Sequence, residues 1–136
     1  MLVDRHAHYE ARFGVLTVVG RARRLSRLSL TRHDLTATYG PPEPDAVAPI
    51  LAQLRGYFAG DRQLFDLDLA PQGTPFQRRV WDALLKIPYG ETRSYRDIAT
   101  VLGNAKAVRA VGGANGRNPI AIVIPCHRVI GANGQL

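Results

Sequence analysis

Cysteine is almost absent from this 136-residue chain; the single one is Cys126. One thiol cannot close an internal disulfide, which excludes a disulfide-stapled secreted scaffold and points to a reducing, cytoplasmic setting. A multi-thiolate zinc site is excluded for the same reason, and no metal or cofactor is expected. No apolar run approaches the roughly 20 residues that cross a bilayer. The opening stretch MLVDRHAHYE mixes charges without an apolar core, so neither a membrane partner nor an export signal is expected. Repeats and low-complexity tracts are also missing. Acid is scarce: 11 Asp+Glu face 18 Lys+Arg, 16 of them arginine, for a net charge of +7. From Thr92 onward only Asp97 stands against Arg93, Arg96, Lys106, Arg109, Arg117 and Arg128. That local imbalance favours a polyanion partner, with nucleic acid first.

What is present suits a soluble globule: 46% apolar and 21% charged residues, enough for one ordinary domain or two very small ones. The β-branched stretch FGVLTVVG (13–20) reads as a strand closing on Gly20, and RLSRLSLT (24–31) as a weaker one. After the proline-rich connector YGPPEPD (39–45), Val47, Ile50, Leu51, Leu54 and Phe58 follow helical spacing up to Gly60. Pro49 fits that helix only in its first turn. LFDLDLA (64–70) alternates and reads as a strand, and PQG (71–73) as the boundary between two small lobes. His6 and His8 have the spacing of a ligand pair on a strand. With no third partner evident, they read as two solvated histidines near a terminus.

The second lobe opens on a strong helix start. TPFQ (74–77) offers Thr74 as N-cap, Pro75 at the first helical position and Gln77 to complete a capping box. Phe76, Val80, Trp81 and Leu84 form its apolar face, and the helix ends near IPYG (87–90). A second helix starts at Ser94, with Asp97 three residues on, buries Ile98, Ala99 and Leu102, and ends at Gly103. A third follows over AVRAVGGAN (107–115), and the pair resembles a helix-turn-helix. Asn118-Pro119 turns the chain into IAIVI (120–124), read as a buried extended segment whose pairing Pro125 ends.

Cys126 therefore follows a rigid, buried element, beside His127 and Arg128. A structural cysteine is one reading, because unpaired cysteines are often buried. An ordinary thiol has a pKa of about 8.5 and is mostly protonated at neutral pH. Neighbouring imidazole and guanidinium favour the thiolate, which a merely structural cysteine does not need. Adjacent strand residues point to opposite faces. Contact between Cys126 and His127 thus requires a turn there or a bridging water, and the water is the preferred reading.

IPCHRVIG, preceded by VRAVGGANGRNPIAIV, resembles the O6-alkylguanine-DNA alkyltransferase family, the methylated-DNA–protein-cysteine methyltransferases; GTPFQRRVWDALLKIPYGETRSYRDIA (73–99) extends the match. The likeness covers 73–136 well and the first lobe more loosely. It implies an α+β fold: a small N-terminal α/β, ribonuclease H-like lobe over 1–71 and a C-terminal helical lobe over 72–136 with a winged helix-turn-helix-like motif. By the same resemblance Cys126 corresponds to the alkyl acceptor and His127 to the base that relays its proton through water. Asn118 corresponds to the residue joining the helix-turn-helix to the active-site segment. Tyr95 corresponds to the donor to guanine N3, and Arg109 to the arginine that fills the gap left by a flipped nucleotide. The backbone carbonyls of Cys126 and Val129 would accept from the guanine amine. The small residues Ala110, Gly112, Gly113 and Ala114 would allow close approach to a minor groove, and Thr92, Ser94, Arg96 and Arg128 are read as further DNA contacts.

The implied function is direct-reversal repair: one irreversible transfer of the alkyl group from O6-alkylguanine, with O4-alkylthymine as a second candidate, by a monomer on double-stranded DNA. Family members continue past GANGQL (131–136) with a glycine-rich loop that walls the pocket and a helix whose glutamate orients the histidine. No acid follows Cys126 here, so that role has no residue, and the C-terminal end reads as missing. A second reading follows: a lesion-recognising DNA-binding module impaired in transfer. A helix-turn-helix regulator with an incidental cysteine is a third.

Overall fold

The β-branched Val15, Thr17, Val18 and Val19, with Leu16 among them, build the centre of the first sheet. The structure, a computed structural model, describes residues 3–131, and the chain divides into two units, Met1–Pro71 and Gln72–Leu136. In the first, β1 (Arg5–Ala11), β2 (Gly14–Arg21) and β3 (Arg24–Ser29) pair antiparallel in succession, with His6 opposite Val19 and Tyr9 opposite Leu16. Gly20 does not close β2 as expected. It sits where the β2–β3 register shifts, and a Cβ there would collide with the Arg24 carbonyl oxygen, so only glycine lets the two strands approach. A short α1 (Thr36–Tyr39) and a 3-10 turn (Pro44–Val47) lead into α2 (Ala48–Phe58), which holds Pro49 in its first turn. Leu16, Val18, Leu25 and Leu28 of the sheet, with Ile50 and Leu54 of α2, are fully or almost fully buried.

Two expectations for this unit are corrected. Of the strand expected over 64–70, only β4 (Asp68–Leu69) pairs, parallel to β3. The cause is Gln53: its side chain takes the Asp66 N–H at 2.8 Å and gives its amide to the Asp66 carbonyl at 2.9 Å, satisfying that backbone away from the sheet. The histidines are not both solvated. His6 is fully buried with Nε2 2.7 Å from the Gly40 carbonyl, and half-buried His8 places Nε2 2.8 Å from the His33 carbonyl. Both pin the long connector to β1, and among the described residues no cluster of three His, Cys, Asp or Glu gathers around them.

In the second unit α3 (Pro75–Leu85) starts with the Thr74/Gln77 capping box formed in both directions, as read from TPFQ. β5 (Arg93–Ser94) leads directly into α4 (Tyr95–Val101), which has its own Ser94/Asp97 capping box; α5 (Val108–Gly116) and β6 (Val129–Ile130) follow. α3 packs on α4 and α5, and β5 pairs parallel with β6. Val80, Trp81, Leu84, Ile98, Ala99, Val111, Ile120 and Ile124 fill this core, while Leu102 is only half-buried. IAIVI is buried in part but is not extended: residues 121–124 turn, and no strand there awaits Pro125. The glycine turn expected over 131–136 lies, from residue 132 on, outside the described residues. Among the described residues no helix is long and apolar enough to cross a membrane.

Candidate active site

Asn118 shapes the segment that carries the thiol. Its Nδ2 donates to the Ile124 carbonyl at 2.8 Å and its Oδ1 accepts the Ile120 N–H at 2.9 Å, so one side chain draws both ends of IAIVI together. This pull overrides the β-propensity of the sequence. Inside the loop the Val123 N–H reaches the Ala121 carbonyl at 2.8 Å around Ile122, whose φ is 70°. That is the rarer, strained γ-turn, and a β-branched residue in this region costs on the order of 1–3 kcal/mol. Pro125, at φ −82° and ψ 65°, makes an inverse γ-turn closed by the Cys126 N–H on the Ile124 carbonyl at 2.8 Å. A 3-10 turn, Cys126–Arg128, follows at once. Cys126 thus stands half-buried at the head of the last of three tight turns. The turn at Cys126 also removes the strand geometry that would have set Cys126 and His127 on opposite faces.

The turn is anchored from several sides. The Cys126 carbonyl accepts the Val129 N–H and a longer contact, 3.4 Å, from Asn115 Nδ2. The carbonyl assigned to the guanine amine is therefore already engaged within the protein. Arg128 donates to the Ile87 carbonyl at 2.8 Å and lies 5.5 Å above the Tyr89 ring, so its guanidinium anchors the turn. His127 is the exposed member. Partial burial of its ring, and then the charge of Arg128, hold its pKa below the usual histidine value. The imidazole is thus kept neutral, in the form able to accept a proton.

β5 and β6 connect this turn to α4: Arg93 lies opposite Val129 and Ser94 opposite Ile130. The strand leaving Cys126 is thereby fixed against the residues that lead into half-buried Tyr95. Val129 is buried, and the Ser94 hydroxyl caps α4 by accepting the Asp97 N–H at 3.0 Å. The Ser94 backbone N–H, then its hydroxyl, hold the Asp97 carboxyl below the usual range. Thr92 and Arg96 are exposed. On α5, Arg109, Ala110 and Gly113 are exposed and Gly112 half-buried, with open space where a Cβ at either glycine would lie. Ala114 is the correction: it is buried, and its carbonyl receives Trp81 Nε1–H at 2.9 Å, so it belongs to the core and not to the groove-facing side. Asn115, Ile87 and Tyr89 were not foreseen. The available signal for Asn115 was an amide, a poor helix former, inside a helical stretch.

Residues 75–136 match the family described as the DNA-binding domain of 6-O-methylguanine DNA methyltransferase. The methylated-DNA–protein-cysteine methyltransferase of Mycobacterium tuberculosis is 49% identical over 134 residues, 95% of this chain and 81% of its own length. A crystal structure of Mycobacterium tuberculosis O6-methylguanine methyltransferase superposes with a TM-score of 0.89 at 47% identity, covering 98% of this chain and 82% of that one. Mycobacterium tuberculosis OGT in complex with DNA gives 0.87 at 48% identity, covering 96% and 81%. With both units superposing on these structures and about half of the aligned residues identical, the chain belongs to the methylated-DNA–protein-cysteine methyltransferase family.

Proposed function

We propose that this chain repairs double-stranded DNA by moving the alkyl group of O6-alkylguanine, and with it O4-alkylthymine, onto Cys126, once per molecule. It acts as a monomer in a reducing cytoplasm, where the single thiol stays unoxidised. A guanine stacked in a duplex cannot bring its O6 to a half-buried sulfur, so the nucleotide must be extruded at a cost of a few kcal/mol. Arg109, exposed on α5, fills the space it leaves, and phosphate contacts from the surrounding arginines offset the cost. The sulfur of Cys126 attacks the alkyl carbon in line with O6. The S–C bond forms as the C–O6 bond breaks, and the electron pair leaves with guanine. The thiol proton passes through water to His127, while the Tyr95 hydroxyl gives its proton to N3 so that the base leaves neutral; water then carries the proton from the imidazolium back to the tyrosinate. The net exchange is a hydrogen for an alkyl group, and the thioether has no easy reversal.

The observation that carries this reading is the half-buried thiol on a turn held by Asn118, Arg128 and β6, inside a chain of this family. The binding-only reading has no observation of its own. Incubation with a duplex containing O6-methylguanine should add one methylene, about 14 Da, to the intact protein and to the peptide bearing Cys126. An unchanged mass, or a gain elsewhere, overturns the assignment.

A pH dependence follows from His127. Its folded-state pKa lies below the ordinary 6.5, so the neutral imidazole is still the major form at that pH. The acid limb of the transfer rate should therefore have its midpoint below pH 6.5, where the base takes up its proton. Any stability from the depressed value has the same sign, present above 6.5 and lost as pH falls, because the unfolded chain binds the proton more readily. Single-turnover rates against pH test this; an acid limb with its midpoint above 6.5 contradicts it.

A further inference from the structure

Asn115 is the second amide at the acceptor turn, and the reaction described above gives it no part. It lies on the last turn of α5, the helix bearing Arg109, and reaches across 11 positions to the carbonyl of Cys126. Nδ2 faces that carbonyl at 3.4 Å, which sets the orientation of the amide, since the flipped form would oppose two oxygens. Its Oδ1 is buried and, among the described residues, meets no hydrogen-bond donor. A buried acceptor without a partner costs about 1–3 kcal/mol, and an asparagine inside a helix is disfavoured besides. An alanine or leucine would fill the place at lower cost if packing were its whole purpose. Asn118 stabilises the preceding loop through two short bonds and both of its polar atoms are satisfied, so Asn115 does not duplicate it.

We infer that Asn115 is a positioning residue for the transfer, tying the backbone of Cys126 to the DNA-reading helix so that the sulfur is held at its attack position when α5 is engaged. The carbonyl of Cys126 is then fixed from two directions, by Val129 N–H and by the α5 amide. This rests on the acceptor role proposed for Cys126. The long contact matches a bond that tightens once substrate is bound, as catalytic hydrogen bonds commonly do.

The test compares the full chain with Asn115→Asp and Asn115→Leu. Aspartate keeps the shape and removes the donor; leucine keeps the volume and removes both polar atoms. Three quantities are measured: affinity for an O6-methylguanine duplex, the single-turnover transfer constant at saturating duplex, and alkylation of Cys126 by iodoacetamide without DNA. The transfer constant should fall by about 10- to 100-fold in both variants, the scale set by a small misplacement of a reacting group, with affinity unchanged. Aspartate should also slow iodoacetamide, because it adds a negative charge beside the backbone of the residue that must become a thiolate. Wild-type transfer constants in both variants, or a loss that only tracks weakened binding, overturn the inference. Should leucine prevent folding, the isosteric aspartate carries the test. If the wild-type chain itself takes up no methyl group, the acceptor assignment falls, and an iodoacetamide rate unaffected by Asn115→Asp then overturns the positioning role separately.

Discussion

Cys126→Ser should leave a protein that folds and binds duplex DNA but takes up no alkyl group. The substitution exchanges one chalcogen for another on a half-buried turn whose bonds, among the described residues, are made by the backbone, Asn118, Asn115 and Arg128 and not by the sulfur. Melting temperature should barely move. Duplex affinity should hold as well, because the exposed arginines Arg96 and Arg109 are untouched. The chemistry is another matter. A neighbouring neutral imidazole can assist a thiol, whereas a hydroxyl holds its proton far more tightly and is a much weaker nucleophile toward carbon. Transfer should fall by on the order of 10⁴-fold or more, the scale on which removal of a nucleophile acts elsewhere. Intact mass and the residual O6-methylguanine in the DNA read this directly. Repair by the serine variant at a measurable fraction of the wild-type rate would remove Cys126 from its role.

How much of this was legible in the sequence varies by element, for physical reasons. TPFQ announces α3 completely, because a capping box is a local structure whose two hydrogen bonds both lie within four residues. The same holds for Ser94 and Asp97 at α4. IAIVI misleads because its shape is imposed from outside its own pattern: the Asn118 side chain holds positions 120 and 124 and forces Ile122 to a positive φ that no propensity scale favours. LFDLDLA fails similarly, with Gln53 claiming the backbone of Asp66. His6 looked solvated because the Gly40 carbonyl that receives it lies 34 positions away. At the site, Cys126 and His127 were visible as residue types. That Arg128 serves as an anchor on Ile87 and Tyr89, and that Ala114 faces inward, depends on tertiary packing that one-dimensional spacing does not encode.

Trp81→Ala should be the most damaging change to the second unit, and the damage should reach DNA binding. Trp81 is 1% exposed, and its ring lies so close to Gly73 that a Cβ there would collide with it. Its indole N–H satisfies the Ala114 carbonyl on α5 at 2.9 Å. Truncation removes the ring, leaves a cavity and orphans a buried acceptor, for about 3–5 kcal/mol. Set against the 5–15 kcal/mol typical of a domain, that brings the unit near its unfolding midpoint. Trp81→Phe separates the two contributions: it keeps most of the apolar volume but removes the donor, and should cost about 1–3 kcal/mol. Because Ala114 sits one residue from Asn115 and five from Arg109 on α5, the alanine variant should lose duplex affinity in step with its folded fraction. The phenylalanine variant should retain it. Denaturant unfolding followed by a probe in each unit resolves the loss, since the two units need not unfold together. A transition in the second unit that is unmoved by Trp81→Ala would mean that α5 is held by something other than this ring.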